Sequence, residues 1–438
     1  MRLVLIGNAS SRRTALLAAA ARRRFPHLTV ELVPWVDLIA ERADLRQIVR
    51  NGDCVRIDSP GKDFEAERML LRAGAEPGDP LAATPDEVTV SVEQMDQLSD
   101  ERGRIHWPAV WSRGLCRTLG RIGQQLTECD PHFAVNDPGE IQTMFDKTAT
   151  HARLEQAGIP VVPAIGRIQS YDELVEKMRQ NRWQQAFVKL AYGSSASGAV
   201  AVRMSRSRIA AFTTVQFDGT DNEGHPKLYN TRRIRELRST AEVAAVVNAV
   251  CRHVAHAERW VPKAGIDGKT FDLRVVVIGV NACHMVARLS KSPITNLNLL
   301  NERGDPARVR ERSGEAAWTA AISSCEAAMR AFPRSLHAGI DLLFVSGFQR
   351  HAVLEVNAFG DLLPGVSWRG MDTYEAELEA SFEGACALRL GSAPRIDLAL
   401  LGKMVRSADP TAPVFGEDAP ISPLAASQIS QAGCRVPG

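Results

Sequence analysis

The run His351-Ala-Val-Leu-Glu-Val-Asn357 places Glu355 and Asn357 among apolar neighbours. A carboxylate in such surroundings is costly unless something positive meets it. Alternate residues of a strand face the same way, so Glu355 and Asn357 share a face that Leu354 and Val356 do not. The preceding run, Ala338 to Val345, contains a lone acid, Asp341, and Ser346-Gly347-Phe348-Gln349 between the two reads as a turn. A hairpin centred on Phe348 sets Asp341 opposite Glu355, with Asn357 one step along the same face. Like charges directly opposite destabilise a sheet unless a cation separates them. Two carboxylates and an amide oxygen are hard donors suited to Mg²⁺, which keeps its other positions for water and phosphate oxygens. A one-residue slip of register dissolves the set and leaves an acidic patch on a solvated face.

A second chemical stretch is Ala186-Phe-Val-Lys-Leu-Ala-Tyr-Gly-Ser-Ser-Ala-Ser-Gly198. A strand ends near Lys189 and turns through Gly193, Ser194, Ser195, Ser197 and Gly198 into another strand. Small residues between glycines let backbone N–H groups approach an anion, and a lysine at the strand end adds point charge. The alternative is an ordinary flexible hairpin turn. It is no nucleophile elbow, because Ser197 stands where G-x-S-x-G needs glycine. Ala264 to Thr270, AGIDGKT, imitates a phosphate-binding loop. However, Lys263 replaces the required first glycine, and the segment leads into a strand where that motif opens a helix. His253 and His256, three apart on an expected helix, read as surface histidines rather than a metal pair.

The elements that must position these residues follow from the apolar pattern. Leu3–Ile6, a helix over Arg12–Arg24 and a strand at Leu28–Val33 make a βαβ unit, hence a parallel α/β domain. Its Gly7-Asn8 turn lacks the three-glycine dinucleotide fingerprint. Residues 75–110 are loop-rich. A helix is expected over Ile141–Gly158, strands at Ala186–Leu190 and Ala199–Val202, and a hairpin or lid loop at Asp218–Lys227. Further expectations are a helix over Ala241–Ala257, strands at Arg259–Val261, Leu273–Gly279 and Ala282–Leu289, and a helix over Gly314–Phe332. The tail from Ser407 is proline-rich and expected to be loosely ordered.

The chain of 438 residues has room for roughly three domain-sized units. Its 45 % hydrophobic and 24 % charged residues are ordinary for a soluble globular protein, and a net charge of +2 gives no case for nucleic acid or a membrane surface. Nine lysines against 44 arginines make any lysine at a motif position informative. Eight scattered cysteines without a C-x-x-C pair read as reduced thiols, and the expected location is cytoplasmic. Ser10-Ser-Arg-Arg-Thr-Ala-Leu-Leu-Ala18 mimics a twin-arginine signal, but a strand precedes it and Arg22-Arg23-Arg24 occupy the place of a cleavage site.

Taken in order, NDPGEIQTMFDKTATHARLEQAGIPVVP, AFVKLAYGSSASGAV, ERWVPKAGIDGKTFDLRVVVIG, ARLSKSPITNLNL, AGIDLLF and LEVNAFG resemble the ATP-grasp superfamily. The flavour is that of glutathione synthetase and of ligases that extend protein C-termini with glutamate. The resemblance spans Asn136 to Gly365 and implies a parallel α/β pre-domain at 1–135. It implies a central lid at 136–257, a metal-binding part at 258–395 with mixed or antiparallel sheets, and a tail at 396–438. It implies that Lys147 and Lys189 touch nucleotide phosphates beneath the loop Gly193–Gly198. It further implies that the backbone of Glu258-Arg259-Trp260-Val261 holds adenine, with Asp272 near the ribose. Arg274, Arg288 and Asn296 would lie near the γ-phosphate and an acyl phosphate, and Asp341, Glu355 and Asn357 would ligate two Mg²⁺ ions. Two departures, Phe359-Gly360-Asp361 after Asn357-Ala358 and the lack of a Gly-Gly after Asn296, fall on the family's substrate side. The implied reaction is ATP-dependent joining of a carboxylate to an amine or other nucleophile, with peptides among the candidate substrates and homo-oligomerisation left open. A small-molecule kinase and a non-catalytic nucleotide-binding scaffold are the competing readings.

Overall fold

The apolar run Leu3-Val-Leu-Ile6 forms the centre of a four-stranded sheet, with all four of its residues fully buried. Its strands are β1 (Arg2–Gly7), β2 (Thr29–Pro34), β3 (Cys54–Ile57) and β4 (Phe133–Ala134), in the order β2-β1-β3-β4 and parallel throughout. The helix Arg12–Arg24 connects β1 to β2, and Ser11 caps it by accepting from the Arg13 amide. Helices Phe64–Ala75 and Pro108–Glu128 touch backbone to backbone. A Cβ on Gly74 would lie 1.9 Å from the Val110 carbonyl oxygen, and one on Gly114 equally close to that of Leu70. The computed structural model describes residues 2–76, 90–221, 224–359 and 363–389. Residues 77–89 of the loop-rich stretch, the Gly360-Asp361 departure and the tail 396–438 lie outside them. Among the described residues no helix is long and apolar enough to cross a membrane.

The second sheet has six strands: β5 (Ala164–Ile168), β6 (Gln185–Leu190), β7 (Val200–Met204), β8 (Ile209–Thr220), β9 (Pro226–Leu237) and β10 (Ala255–Arg259). Their order is β5-β10-β6-β7-β8-β9, antiparallel throughout. Of the stretch expected to form a hairpin or lid loop, residues 218–220 end β8 and residues 226–227 begin β9, while residues 222–223 lie outside the described residues. The helix expected over Ala241–Ala257 stops at Cys251. Val254 turns the chain with φ +63°, and Ala255–Arg259 then runs as a strand. Four of that strand's five residues are buried, so it shows no alternation to distinguish it from helix. His256 consequently sits buried inside the sheet rather than on a helix surface.

The third sheet comprises β11 (Gly265–Ile266), β12 (Lys269–Ile278), β13 (Asn281–Ser290), β14 (Glu302–Gly304), β15 (His337–Phe344) and β16 (His351–Asn357). Its order is β14-β13-β12-β15-β16, antiparallel, with β11 on β12. The expected helix Gly314–Phe332 is Glu315–Arg330, preceded by a separate helix Pro306–Ser313, and Gly314 (φ +78°) breaks the two apart. The helix expected over Ile141–Gly158 is likewise two, Pro138–Phe145 and Lys147–Gln156. Asp146 ends the first in an extended conformation and caps the second, accepting from the amides of Thr148 (2.8 Å) and Ala149 (3.1 Å). The break makes Lys147 the first residue of a helix.

Candidate active site

One face of the third sheet carries a lattice of charges set by register. Asp272 on β12 is the partner of Arg288 on β13, Arg274 on β12 is the partner of Asp341 on β15, and Asp341 is the partner of Glu355 on β16. Asn357 lies one pair further, opposite Gly339, and its amide nitrogen donates to that residue's carbonyl. The amide oxygen is therefore the end left for a ligand. The acids do meet as the hairpin reading requires, but by a different route. Near the turn the strands pair Phe344 with His351, one residue out of step, and a bulge at Leu354 restores the Asp341–Glu355 pair.

Those acids do not face each other uncompensated. Arg274 Nε lies 2.5 Å from Asp341 Oδ1, and an Arg288 terminal nitrogen lies 3.0 Å from Asp341 Oδ2. Glu355 Oε1 is 3.4 Å from Lys147 Nζ and 3.8 Å from Lys189 Nζ. Burial alone would raise the Glu355 carboxyl, yet Lys147, Lys189 and the two arginines hold it well below the usual carboxylate range. The like-charge repulsion expected between Asp341 and Glu355 is thus answered by protein cations.

Asp272 is likewise held by protein partners. Its Oδ1 accepts from Arg288 Nε (2.6 Å), and its Oδ2 takes Lys263 Nζ (3.2 Å) and the Thr295 hydroxyl. Burial pushes this carboxyl up, but Arg288 and Lys263 outweigh it and hold the group down. Three protein donors thus meet the Asp272 carboxylate, one on Oδ1 and two on Oδ2.

The second sheet supplies the opposite wall. Lys189 on β6 pairs in register with His256 on β10, and its ammonium lies 2.5 Å from Glu258 Oε1. The Glu258 side chain, expected to matter little beside its backbone, is the closest anion to Lys189. Lys147 donates to the Gly193 carbonyl (2.8 Å) and so ties its helix to the glycine–serine loop. Ser195, Ala196 and Gly198 have φ of +55°, +59° and +68°. A Cβ on Gly198 would lie 2.6 Å from Leu190 Cγ, and one on Gly193 2.8 Å from Leu190 Cβ. Packing against Leu190 therefore also requires these glycines, beyond any approach to an anion.

The two walls enclose a cleft of roughly 840 Å³, counting the solvent at its mouth. Lys147, Lys189, Gly193, Ser195, Ser197, Glu258, Val261, Asp272, Arg274, Arg288, Asn296, Asp341, Glu355 and Asn357 all line it. Ser194, Gly198 and Trp260 do not. Trp260 lies behind the wall, its ring 5.6 Å from that of Phe187 and 4.9 Å from the Arg203 guanidinium carbon. Its amide donates to the Gln185 carbonyl and that of Arg259 to the Pro163 carbonyl, while Glu258, Arg259 and Val261 of the hinge line the cleft.

Sequence reasoning missed the apolar lining of Val162, Phe187, Leu343 and Leu354, and it missed Lys263. The scarcity of lysine was the one available signal for Lys263. It also missed Asn136, which is 1 % exposed. Asn136 donates to the carbonyls of His337 and Ala358 and accepts from the amides of Leu336 and His337, so it fixes the start of β15 to the residue after Asn357.

No protein-family model matches this chain, and no curated protein does. Among solved structures it is similar to the ATP-grasp ligase PsnB complexed with a phosphomimetic variant of its minimal precursor, Mg and ADP. That similarity has 13 % identity over 87 % of this chain and 98 % of that one, with a TM-score of 0.48. It is similar to the D-cycloserine synthetase DcsG at 14 % identity over 89 % of this chain and 100 % of that one, TM-score 0.47. The macrocyclase MdnC of Microcystis aeruginosa MRC, bound with precursor peptide MdnA, follows at 11 % identity over 86 % and 98 %, TM-score 0.47. Scores of this size leave the role of each side chain to its own geometry.

Proposed function

We propose that this chain is an ATP-grasp ligase that activates a carboxylate with ATP and joins it to an amine or another nucleophile. The observation that carries the reading is a single cleft in which Lys147, Lys189, Arg274 and Arg288 converge on Asp341, Glu355 and Asn357 beside an apolar pocket. In this reading residues 1–135 form a pre-domain, 136–257 the lid and 258–395 the metal-binding part, with the lid sheet extending through Arg259. Adenine lies against Val261, Leu343 and Leu354, and the triphosphate extends toward the two lysines.

The donor set suits Mg²⁺, being all oxygen, and among the described residues no cluster of three or more His, Cys, Asp and Glu offers a competing site. Glu355 and Asn357 would hold the ion. Asp341 joins them only when Arg274 or Arg288 leaves it for a phosphate, so a second ion depends on that exchange. Bound Mg²⁺ would neutralise phosphate charge. The protein's own contribution is position and fixed charge. Arg274 and Arg288 each spend two of five N–H donors on acids and keep three for the transferring phosphoryl group. A substrate carboxylate oxygen attacks the γ-phosphorus, and the bond to the bridging oxygen breaks with its electron pair leaving on ADP. An amine nitrogen then attacks the acyl carbon, phosphate departs, and the nitrogen loses its proton.

Incubation with Mg²⁺, ATP, a pool of amino acids and peptides, and hydroxylamine tests the reading. Carboxylate-dependent ADP release together with a hydroxamate is expected. ADP without hydroxamate would mean a kinase, and ATP bound without ADP release would mean a scaffold.

A further inference from the structure

Lys263 is a lysine of the cleft with no role in the reading above. Its side chain is 9 % exposed, and its ammonium lies 3.2 Å from Asp272 Oδ2 and donates to the Thr295 hydroxyl. An ammonium has three N–H bonds, so one is left. Burying a lysine is costly when an apolar side chain could fill the same space. Burial does push this group below its ordinary value, with Asp272 opposing. An ammonium held by Asp272 and Thr295 with one N–H to spare, at the lining of an open cleft, points to a ligand.

Its place along the chain says which part of a ligand it meets. Val261 and Lys263 line the cleft, whereas Trp260 and Pro262 do not, which is the alternation of an extended segment. The Pro262 carbonyl accepts from the Ser346 amide (2.9 Å), and the Ala264 amide donates to Phe344 (2.8 Å), so the segment is fixed against β15. Val261 belongs to the apolar group with Val162, Leu343 and Leu354, where a base would lie. Lys263 stands two strand steps on, about 6.6 Å, a distance on the scale of that from a base to the hydroxyls of its sugar. Asp272, the acid at this point, has both oxygens engaged.

We propose that Lys263 recognises the ribose of the nucleotide, its remaining N–H donating to a ribose hydroxyl oxygen, while Asp272 and Thr295 hold the ammonium in place. Lys263 is then a specificity residue for ribonucleotides. The inference rests on the cleft being an ATP site and is separable from it.

Calorimetric titration of the whole chain with ATP, 2′-deoxyATP and 3′-deoxyATP in Mg²⁺ tests it. The wild type should prefer ATP to at least one deoxynucleotide by tenfold or more. Lys263→Met should bind ATP about tenfold more weakly and bind all three within twofold of one another, with deoxynucleotide affinity near that of the wild type. Retained deoxynucleotide binding also shows that the variant folds. Lys263→Arg, which keeps donors, should keep most of the preference. A wild type that does not discriminate, or a Lys263→Met variant that weakens every nucleotide equally and keeps the ratio, overturns the role of Lys263 while leaving the ATP site intact. A wild type that binds none of the three overturns both.

Discussion

The carboxylate of Glu355 lies 3.4 Å from the ammonium of Lys147, so a metal-ligand candidate and a phosphate-binding candidate neutralise each other in the protein alone. Asp341 stands in the same relation to Arg274 and Arg288. The cations expected to meet a triphosphate occupy the acids expected to meet a metal. If the cleft holds ATP and Mg²⁺ as proposed, the two should engage it together, with phosphate taking the lysines as the metal takes the carboxylate.

That relationship gives Glu355→Gln a definite sign. Without nucleotide or metal the variant leaves Lys147 short of an anion and should unfold more easily by about 1–2 kcal/mol. With Mg²⁺ and ATP it should release no ADP. Urea unfolding of the free protein beside an ADP assay checks both. Unchanged or higher stability would mean that Glu355 repels Asp341 more than it attracts the lysines.

Glu258→Gln should be more severe. Lys189 is partly buried, with the buried Glu258 at 2.5 Å and Glu355 only at 3.8 Å. Removing one partner of a buried pair leaves a charge uncompensated, and the loss should be about 2–4 kcal/mol. Weaker nucleotide binding should accompany it, and denaturant unfolding with ATP titration measures both.

The glycine loop yields a pair of variants with different rescue. In Gly198→Ala the new methyl meets Leu190 Cγ and Cδ1, whereas in Gly193→Ala it meets Leu190 Cβ. Adding Leu190→Ala should recover part of the stability lost in Gly198→Ala, the rest reflecting φ +68°. It should recover little of that lost in Gly193→Ala. Melting temperatures of the singles and doubles decide.

Acid sensitivity should begin with histidine. His256 is buried beside Lys189 and Lys147, and its pKa is pushed down to about 3 by burial first and by those lysines second. The folded protein keeps the ring neutral while the unfolded chain protonates it near pH 6.5, so stability is full above that pH and falls as pH drops toward 3. The slope from one such group is at most about 1.4 kcal/mol per pH unit. Unfolding free energies of His256→Gln between pH 7 and pH 4 should show a shallower decline than those of the wild type.

The meeting of Asp341, Glu355 and Asn357 on one face was legible because residue type and period-two spacing suggest it without knowledge of their neighbours. Their charge partners were not, since the Arg288–Asp272 and Arg274–Asp341 pairs depend on β12 lying between β13 and β15. The surroundings of Asp272 were hidden for the same reason: Lys263, Arg288 and Thr295 reach it from three segments. Strand β10 was taken for helix at its start because burial on both faces erases alternation. The break at Asp146 lay in plain view as an N-capping residue, but a continuous apolar period covered it.

Calorimetry of ATP binding, with and without Mg²⁺, to the wild type and to Lys147→Met and Lys189→Met decides whether the cleft is a nucleotide site. Binding that requires or is strongly tightened by Mg²⁺, and that weakens tenfold or more in each variant while both stay folded, is the predicted result. ATP affinity that is absent in the wild type, or unchanged in both variants, would contradict the assignment of this cleft as the nucleotide site.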